Sequence, residues 1–174
     1  VKWAGGKTQL LNEIEKMLPE NINRYYEPFV GGGAVLLNFA FNNATINDIN
    51  QELIFTYECI KNQKDELLKE LDNLDLEHEK SPKEFYYHTR DLYNEMIMNQ
   101  QKNISLAAMF IYLNKHSFNG LYRVNSKGLF NVPFNNKKSG NSYKKEDIDQ
   151  ISEYLQNVDI LCTDFENVCR NCEK

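Results

Sequence analysis

Arg24-Tyr25-Tyr26-Glu27-Pro28-Phe29-Val30-Gly31-Gly32-Gly33, followed by Ala34 to Phe41 and then by Ala44-Thr45-Ile46-Asn47-Asp48-Ile49-Asn50, is the stretch that decides the fold. Its opening is aromatic and β-prone, the glycines make a turn, the next segment is helical, and Ala44-Thr45-Ile46 is a short strand. Strand, glycine turn, helix, strand and acid is the order of a βαβ nucleotide-binding unit. Glycine lets backbone amides approach a ligand closely, and the helix behind it adds the positive end of its dipole. A pyrophosphate or a carboxylate would suit that position equally. The dinucleotide fingerprint fails, because Leu36 stands where its third glycine belongs. Asp48, 17 residues after Gly31, is placed to bind both hydroxyls of an adenosine ribose. A structural turn accounts for three glycines alone; with Asp48 in order, a nucleoside-containing cofactor is the better account.

Outward from that unit, Trp3-Ala4-Gly5-Gly6-Lys7 is a loop leading into Leu10, Leu11, Ile14, Met17 and Leu18, a helical apolar stripe closed by Pro19. Gly6-Lys7-Thr8 invites a phosphate-loop reading, but Val1 occupies the place of its first glycine and no strand precedes it. A P-loop nucleotide hydrolase therefore stays as a rival only. From Glu52 to about Lys115 the pattern is helical and acidic. Leu53, Ile54, Tyr57, Ile60, Leu67, Leu68 and Leu71 predict one helix in two pieces. Ser81-Pro82-Lys83-Glu84 predicts a capping box opening a helix through Met98, and Leu106 to Leu113 predicts a buried helix. His116 to Asn141 has no helical period. A helix over Glu146–Leu155 then leads to a third strand, Val158 to Cys162, and to Thr163-Asp164-Phe165.

The 174 residues suffice for one domain with a sizeable insertion, and ten Tyr with ten Phe argue against disorder. No apolar run approaches the roughly 18 residues of a membrane span. The net charge of −5 argues against a nucleic-acid partner until its distribution is seen. Lys115, Arg123, Lys127, Lys137, Lys138, Lys144 and Lys145 fall in one stretch without Asp or Glu, a local +7 within a chain whose remainder is −12. There, Phe118-Asn119-Gly120-Leu121-Tyr122-Arg123 and Phe130-Asn131-Val132-Pro133-Phe134 interleave aromatics with Asn and Arg. Arg pairs with guanine edges and aromatics wedge into a disturbed base stack; the same aromatics could instead plug a small core beneath the loop. Four cysteines, with one Cys169/Cys172 pair, make neither a disulfide framework nor a metal site, and no secretory signal is visible, which predicts a cytoplasmic protein.

Together, Lys2-Trp3-Ala4-Gly5-Gly6-Lys7, Glu27-Pro28-Phe29-Val30-Gly31-Gly32-Gly33-Ala34-Val35 and Asn47-Asp48-Ile49-Asn50 resemble the amino-terminal motifs of Dam-type DNA adenine-N6 methyltransferases. Phe118-Asn119-Gly120-Leu121-Tyr122-Arg123-Val124-Asn125, with Gly128 and Phe130 to Phe134, is similar to their target-recognition hairpin. The resemblance runs from Val1 to about Phe165 in the family's order. It implies an α/β, Rossmann-like S-adenosylmethionine-dependent methyltransferase sheet, represented by its amino-terminal half (1–51 and 142–174), with an inserted helical DNA-recognition domain (52–141). It implies S-adenosylmethionine as cofactor and adenine in GATC-like double-stranded DNA as target. By position, Trp3, Ala4 and Lys7 would line the cofactor pocket, with Glu27, Phe29, Gly31 and Gly33 beside the methionine part. Asp48 would hold the ribose hydroxyls, and Asp164 and Phe165 would flank the adenine ring. Lys2 would lie at the DNA surface, Phe118 and Asn119 would enter or support the opened stack, Leu121 and Arg123 would read base edges, Asn125 would bind DNA beside them, and Pro133 would contact a base of the site.

The family's Asp-Pro-Pro-Tyr motif, which polarises the target amine and stacks on the flipped base, has no counterpart among prolines 19, 28, 82 and 133. No catalytic residue is therefore assigned, and these 174 residues, which begin with Val and read as a fragment, are expected not to methylate DNA alone. Asn135-Asn136-Lys137-Lys138 also replaces the family's usual glycine-led continuation. The setting is either a restriction-modification system with a cognate endonuclease or an orphan regulator; a DNA-binding fragment without catalysis is the other rival.

Overall fold

The computed structural model describes residues 3, 6–170 and 172. Three parallel strands, β1 (Tyr25–Glu27), β2 (Ala44–Asn47) and β3 (Val158–Leu161), form one sheet in that order. Tyr25 pairs with Ala44 and Glu27 with Ile46; on the far side Ala44 pairs with Val158 and Asn47 with Leu161. All four β2 residues are buried, as a central parallel strand requires. Helix α2 (Ala34–Phe39) makes the first crossover and stops at Ala40, whose φ of 47° breaks the helix two residues before the expected end at Phe41. The amino-terminal stripe is split into a 3-10 turn (Lys7–Leu10) and α1 (Leu11–Met17). Neither contains a buried residue, and Leu10 and Met17 are exposed.

The second crossover carries four helices before it returns: α3 (Gln51–Asn62), α4 (Lys64–Lys80), α5 (Pro82–Met98) and α6 (Ile104–His116). Asn50 and Asn103 cap α3 and α6, their side-chain oxygens accepting from Leu53 N (2.8 Å) and Leu106 N (3.1 Å). The expected capping box at Ser81 does not form: the Ser81 side chain makes no cap hydrogen bond. There the start of α5 relies on Pro82, preset for the first helical turn, and on the Phe85 N–H donating to Ser81 O. The apolar α6 is the hub, packed against α3, α4 and α5 with Phe110, Tyr112 and Leu113 buried at its centre. Helix α3 also packs against α7 (Lys145–Leu155) and β3, which joins the helical layer to the sheet.

Between α6 and α7 the chain folds back on itself. A 3-10 turn (Phe118–Gly120) is followed by two isolated antiparallel bridges, Ser117 with Phe134 and Val124 with Phe130. Phe130, Val132 and Phe134 are buried while Pro133 between them is exposed, so this strand-like arm alternates in and out. Phe118 stays half-exposed. The core-plug reading of the aromatics thus holds for Phe130 and Phe134, and Phe118 lies outside that core. The chain closes with α8 (Phe165–Arg170). Among the described residues no helix is long and apolar enough to cross a membrane, no group of three or more His, Cys, Asp or Glu is placed to share a metal ion, and the four cysteines are free.

Candidate functional site

At the carboxyl ends of β1 and β2 the chain makes a cradle from its own backbone. The Val30 N–H donates to Asn47 O (2.9 Å) and the Gly31 N–H to Asp48 Oδ2 (3.0 Å), while Asp48 Oδ1 accepts from Asn50 N (3.0 Å). The glycine turn and the strand-end acid therefore face each other directly. Gly31 has φ 51°, and a Cβ there would come within 2.8 Å of Trp3 Cδ1, so the indole lies on the bare backbone. Gly33 has φ 71°, and its Cβ would meet Tyr57 Oη at 2.6 Å. Only glycine combines this backbone with this approach.

A cavity of about 670 Å³ opens over the cradle. Trp3, Lys7, Phe29, Gly31, Gly33 and Asp48 line it on the sheet side. Asn119, Gly120 and Leu121, from the loop after α6, line it opposite. Asn119 sits at φ 56°, a left-handed conformation that turns the loop toward the cavity. A second cavity of about 560 Å³ shares Gly32, Leu37, Asn119 and Gly120 with the first and carries Lys115, Lys137 and Lys144 on its wall.

Glu27 stands behind the cavity wall rather than on it. Its carboxylate is almost fully buried and accepts from the Tyr25 hydroxyl (3.0 Å), while Oε1 lies 3.6 Å from Lys7 Nζ. Burial pushes this carboxyl up from the usual glutamate range, against the opposing pull of the Tyr25 hydroxyl and Lys7. Lys7 Nζ also donates to Phe29 O (3.2 Å), so the ammonium bridges the buried acid and the turn. This places Lys7 on a cavity wall against a carbonyl and a carboxylate, a setting unlike that of a phosphate-loop lysine. Phe165 packs on Phe29 with ring centres 5.2 Å apart, both rings partly exposed; Asp164 Oδ1 accepts from Glu166 N and so opens α8. Neither Asp164 nor Phe165 lines the cavity itself. Lys2 and Ala4 lie outside the described residues.

In the loop, Arg123 donates through Nε to Asn131 Oδ1 (2.8 Å) and through Nη2 to Asn131 O (3.3 Å), with the guanidinium exposed. Asn125 is occupied inside the loop, its Oδ1 accepting from Lys127 N and Leu129 N, which shapes the tip. Pro133 is exposed, its carbonyl accepting from Phe118 N at 2.8 Å. The root of the loop is pinned to α5: Asn94 exchanges two hydrogen bonds with the Phe130 backbone (2.8 and 3.0 Å), and the Tyr86 hydroxyl donates to Val132 O.

Two residues that carry the cradle escape sequence reasoning. Asn47 Nδ2 donates to Pro28 O and Thr163 O (both 3.0 Å) and its Oδ1 accepts from Thr163 N (2.9 Å), tying together the segments that follow all three strands. Tyr57, which the helical pattern assigns to the core, donates its hydroxyl to Gly31 O (3.0 Å) from beneath; burial raises its phenol well above the ordinary range. The only signals were the position of Asn47 at a strand end and one hydroxyl in an apolar stripe.

Each Asp48 oxygen accepts one amide here, which leaves lone pairs for a vicinal diol. Bare glycine backbone, the Trp3 indole and the Phe29 ring flank Asp48 in the same cavity. Comparison with known proteins identifies the family. The model of the family described as D12 class N6 adenine-specific DNA methyltransferase matches residues 3–173. The chain is 46% identical to the type II methyltransferase M.MjaIII of Methanocaldococcus jannaschii over 97% of its own length and 62% of that protein's. It is 40% identical to the type II methyltransferase M1.LlaDCHI of Lactococcus lactis subsp. cremoris, over 99% and 60% of the two lengths. With the DNA adenine methylase of Haemophilus influenzae the identity is 34%, over 100% and 59%. The chain thus spans about three fifths of the length of the curated relatives it matches. It belongs to the D12 class N6 adenine-specific DNA methyltransferase family.

Proposed function

We propose that this chain supplies the cofactor site and the DNA-reading loop of an enzyme that transfers a methyl group from S-adenosylmethionine to adenine N6 at a GATC-like site in duplex DNA. The observation that carries the reading is the Gly31–Asp48 contact inside a cavity whose opposite wall is the loop Asn119–Leu121. The cofactor supplies an activated methyl on a sulfonium, transferred by direct displacement. The residues present fit it: Asp48 would take the ribose hydroxyls, the turn from Phe29 to Gly33 with Lys7 would face the amino-acid part, and Phe165 with Asp164 would stand by the adenine ring.

What this chain contributes is alignment, because an in-line displacement needs two reactants held in geometry rather than a covalent enzyme intermediate. The target amine is inaccessible within a duplex, so the base must be flipped at a cost of a few kcal/mol in unstacking. Phe118 would be the wedge that offsets that cost, with Asn119 next to it; its half-exposed ring supports the reading. Arg123, Leu121 and Pro133 present their surfaces to base edges, Asn125 holds the tip in shape, and Lys2 with the lysines of the basic stretch meets phosphates. The recognition unit spans 52–141 and the methyltransferase unit 1–51 with 142–174. The type II names of two relatives support a place beside a cognate restriction endonuclease; the enzyme would act in the cytoplasm.

The test is tritiated-methyl transfer to a GATC duplex and a scrambled one by the complete protein, with methylated sites mapped on longer DNA. Calorimetry with S-adenosylhomocysteine accompanies it. Turnover at one mapped site and binding of the homocysteine analogue are expected, with no turnover by the 174 residues alone, which hold no Asp-Pro-Pro-Tyr. Binding of ATP-Mg²⁺ with none of the analogue would instead establish the nucleotide-hydrolase rival.

A further inference from the structure

The two walls of the proposed cofactor cavity are joined by a stack of flat groups that starts at the cavity-lining Trp3. Trp3 lies close against the Gly31 backbone. It also stacks on Tyr122, ring centres 5.1 Å apart and planes within 14°. Tyr122 in turn contacts Phe110 of α6 (5.2 Å) and Phe130 of the buried loop arm (5.6 Å). Its hydroxyl end lies beside Asn50, two residues beyond Asp48. Along the chain, Tyr122 stands between Leu121, a cavity-wall residue, and Arg123, whose exposed guanidinium is held by Asn131. A ring that touches the cofactor wall on its face and carries the reading residues on its backbone cannot shift without moving both.

We propose that Tyr122 is a positioning residue that couples the two sites: through its stack on Trp3 it sets the Asn119–Arg123 segment against the cofactor cavity, so that cofactor and duplex DNA each strengthen binding of the other. The inference rests on the cavity being the cofactor site and the loop being the DNA reader, as proposed above. A cofactor seated over Gly31 restrains Trp3, hence Tyr122, hence the loop that meets DNA. Reciprocity is thermodynamically required, so a duplex bound by the loop tightens the cofactor by the same factor. An aromatic pair gains from ring–ring electrostatics beyond the area it buries, which an aliphatic residue of similar bulk does not supply.

The complete protein is titrated with S-adenosylhomocysteine in the absence and presence of an unmethylated duplex carrying the mapped site. In the wild type the duplex is expected to tighten the analogue by roughly tenfold, within the usual range for coupled sites. Tyr122→Leu is expected to reduce that factor to near one while changing analogue affinity without DNA less than threefold, and Tyr122→Phe, which keeps the ring, to retain it. A second measurement needs no variant beyond an assignment control: in protein labelled with 5-fluorotryptophan, the Trp3 fluorine resonance, identified by its loss in Trp3→Phe, is expected to shift when duplex is added without cofactor. A wild-type factor of one, a factor retained in a folded Tyr122→Leu protein, or a Trp3 resonance indifferent to duplex overturns the coupling while leaving the cofactor assignment standing. No binding of the analogue in any arm removes the cofactor assignment itself, and the coupling with it.

Discussion

The sheet-side wall of the cavity and its loop-side wall are built by different means. On the sheet side the geometry is written in backbone: strand ends in register, glycines at positive φ, and the buried groups of Asn47 and Tyr57 bonding carbonyls from behind. On the loop side there is almost no regular structure, and single side chains act as pins, Asn94 and Tyr86 at the root and Asn125 at the tip. Under the proposed function the first wall takes a cofactor common to many targets, which suits a preformed, deeply supported surface. A surface that must read one sequence among many suits exposed residues on a rooted loop, whose reading side chains can vary without disturbing the supports.

The largest expected effect bears on the first wall. Asp48→Ala removes the charged acceptor of the proposed ribose contact and also leaves the Gly31 amide without its partner. A hydrogen bond to a charged group is worth about 1.5–3 kcal/mol, so affinity for S-adenosylhomocysteine should fall roughly 10- to 150-fold by calorimetry. Duplex affinity measured without cofactor should be unchanged. An unaltered analogue titration would remove Asp48 from the site and dissolve the contrast between a cofactor wall and a reading wall.

Gly33→Ala asks whether that wall is as tightly determined as its geometry indicates. The left-handed backbone costs an L residue about 1–2 kcal/mol. The new methyl also meets the Tyr57 hydroxyl, whose bond to Gly31 O contributes about 0.5–1.5 kcal/mol. Denaturant melts should therefore show about 1.5–3.5 kcal/mol lost. In a Tyr57→Phe background the added cost of Gly33→Ala should shrink toward the backbone part alone, since the oxygen it strikes is gone. Additive losses would mean that Tyr57 does not support the turn.

Arg123→Ala addresses the second wall. If the exposed guanidinium reads a base edge, discrimination at one position of the site should relax by about 1–3 kcal/mol, measured by competition between duplexes differing at that position. Thermal stability should barely move, because Arg123 is anchored only to Asn131 and both bonds are solvent-facing. The same substitution that leaves the specificity profile intact but melts the loop would reverse the division between supports and readers.

How much of this was legible in sequence follows the same division. The βαβ order, the glycine turn, Asp48 and the helical run from Gln51 to His116 are local patterns, each carried by residues close together in the chain. What sequence could not show are contacts across long separations: Asn47 to Thr163 spans 116 residues and Tyr57 to Gly31 spans 26. Side-chain chemistry there is ordinary, an amide at a strand end and a phenol in a helix, and only the fold brings it to work. Ser81 failed in the opposite sense. The capping box is a local pattern, but the side chain makes no cap bond, and the proline beside it already fixes the helix start. Glu27 adjoins the turn along the chain, yet sequence could not tell a wall residue from one lodged behind Lys7. Nor could it separate Phe118, outside, from Phe130 and Phe134, inside, since alternation along an irregular arm becomes visible only once its pairing is known.

The smallest expected effect separates the walls by pH. Behind the sheet wall, Glu27 has its proton affinity raised by burial, so the native chain holds that proton more tightly than the unfolded one. Its contribution to stability is present below the ordinary glutamate range and is lost as pH rises through the elevated value. Beneath the loop wall, His78 on α4 is buried, bonded through Nδ1 to the Tyr112 hydroxyl (2.8 Å) and packed 4.0 Å from the ring of His116, which itself lies 3.9 Å from Asp75. Burial, and then the neighbouring His116, depress its proton affinity below that of a free histidine. Here the sign is opposite: stability is present above about 6.5, and as pH falls the unfolded chain takes up a proton that the native one resists. Asp75, which accepts from Ser142 N at the loop's far end, is also held low, but it titrates below this window. Hydrogen exchange read segment by segment should therefore show residues 117–142 opening more readily as pH is lowered from 7 toward 5, by at most about 1.4 kcal/mol per pH unit, while the strand ends around Glu27 become slightly more protected. His78→Gln should abolish the first trend and leave the second, and Glu27→Gln the reverse. If both segments follow pH in the same direction, the two walls share one support and the distinction between them is not a thermodynamic one.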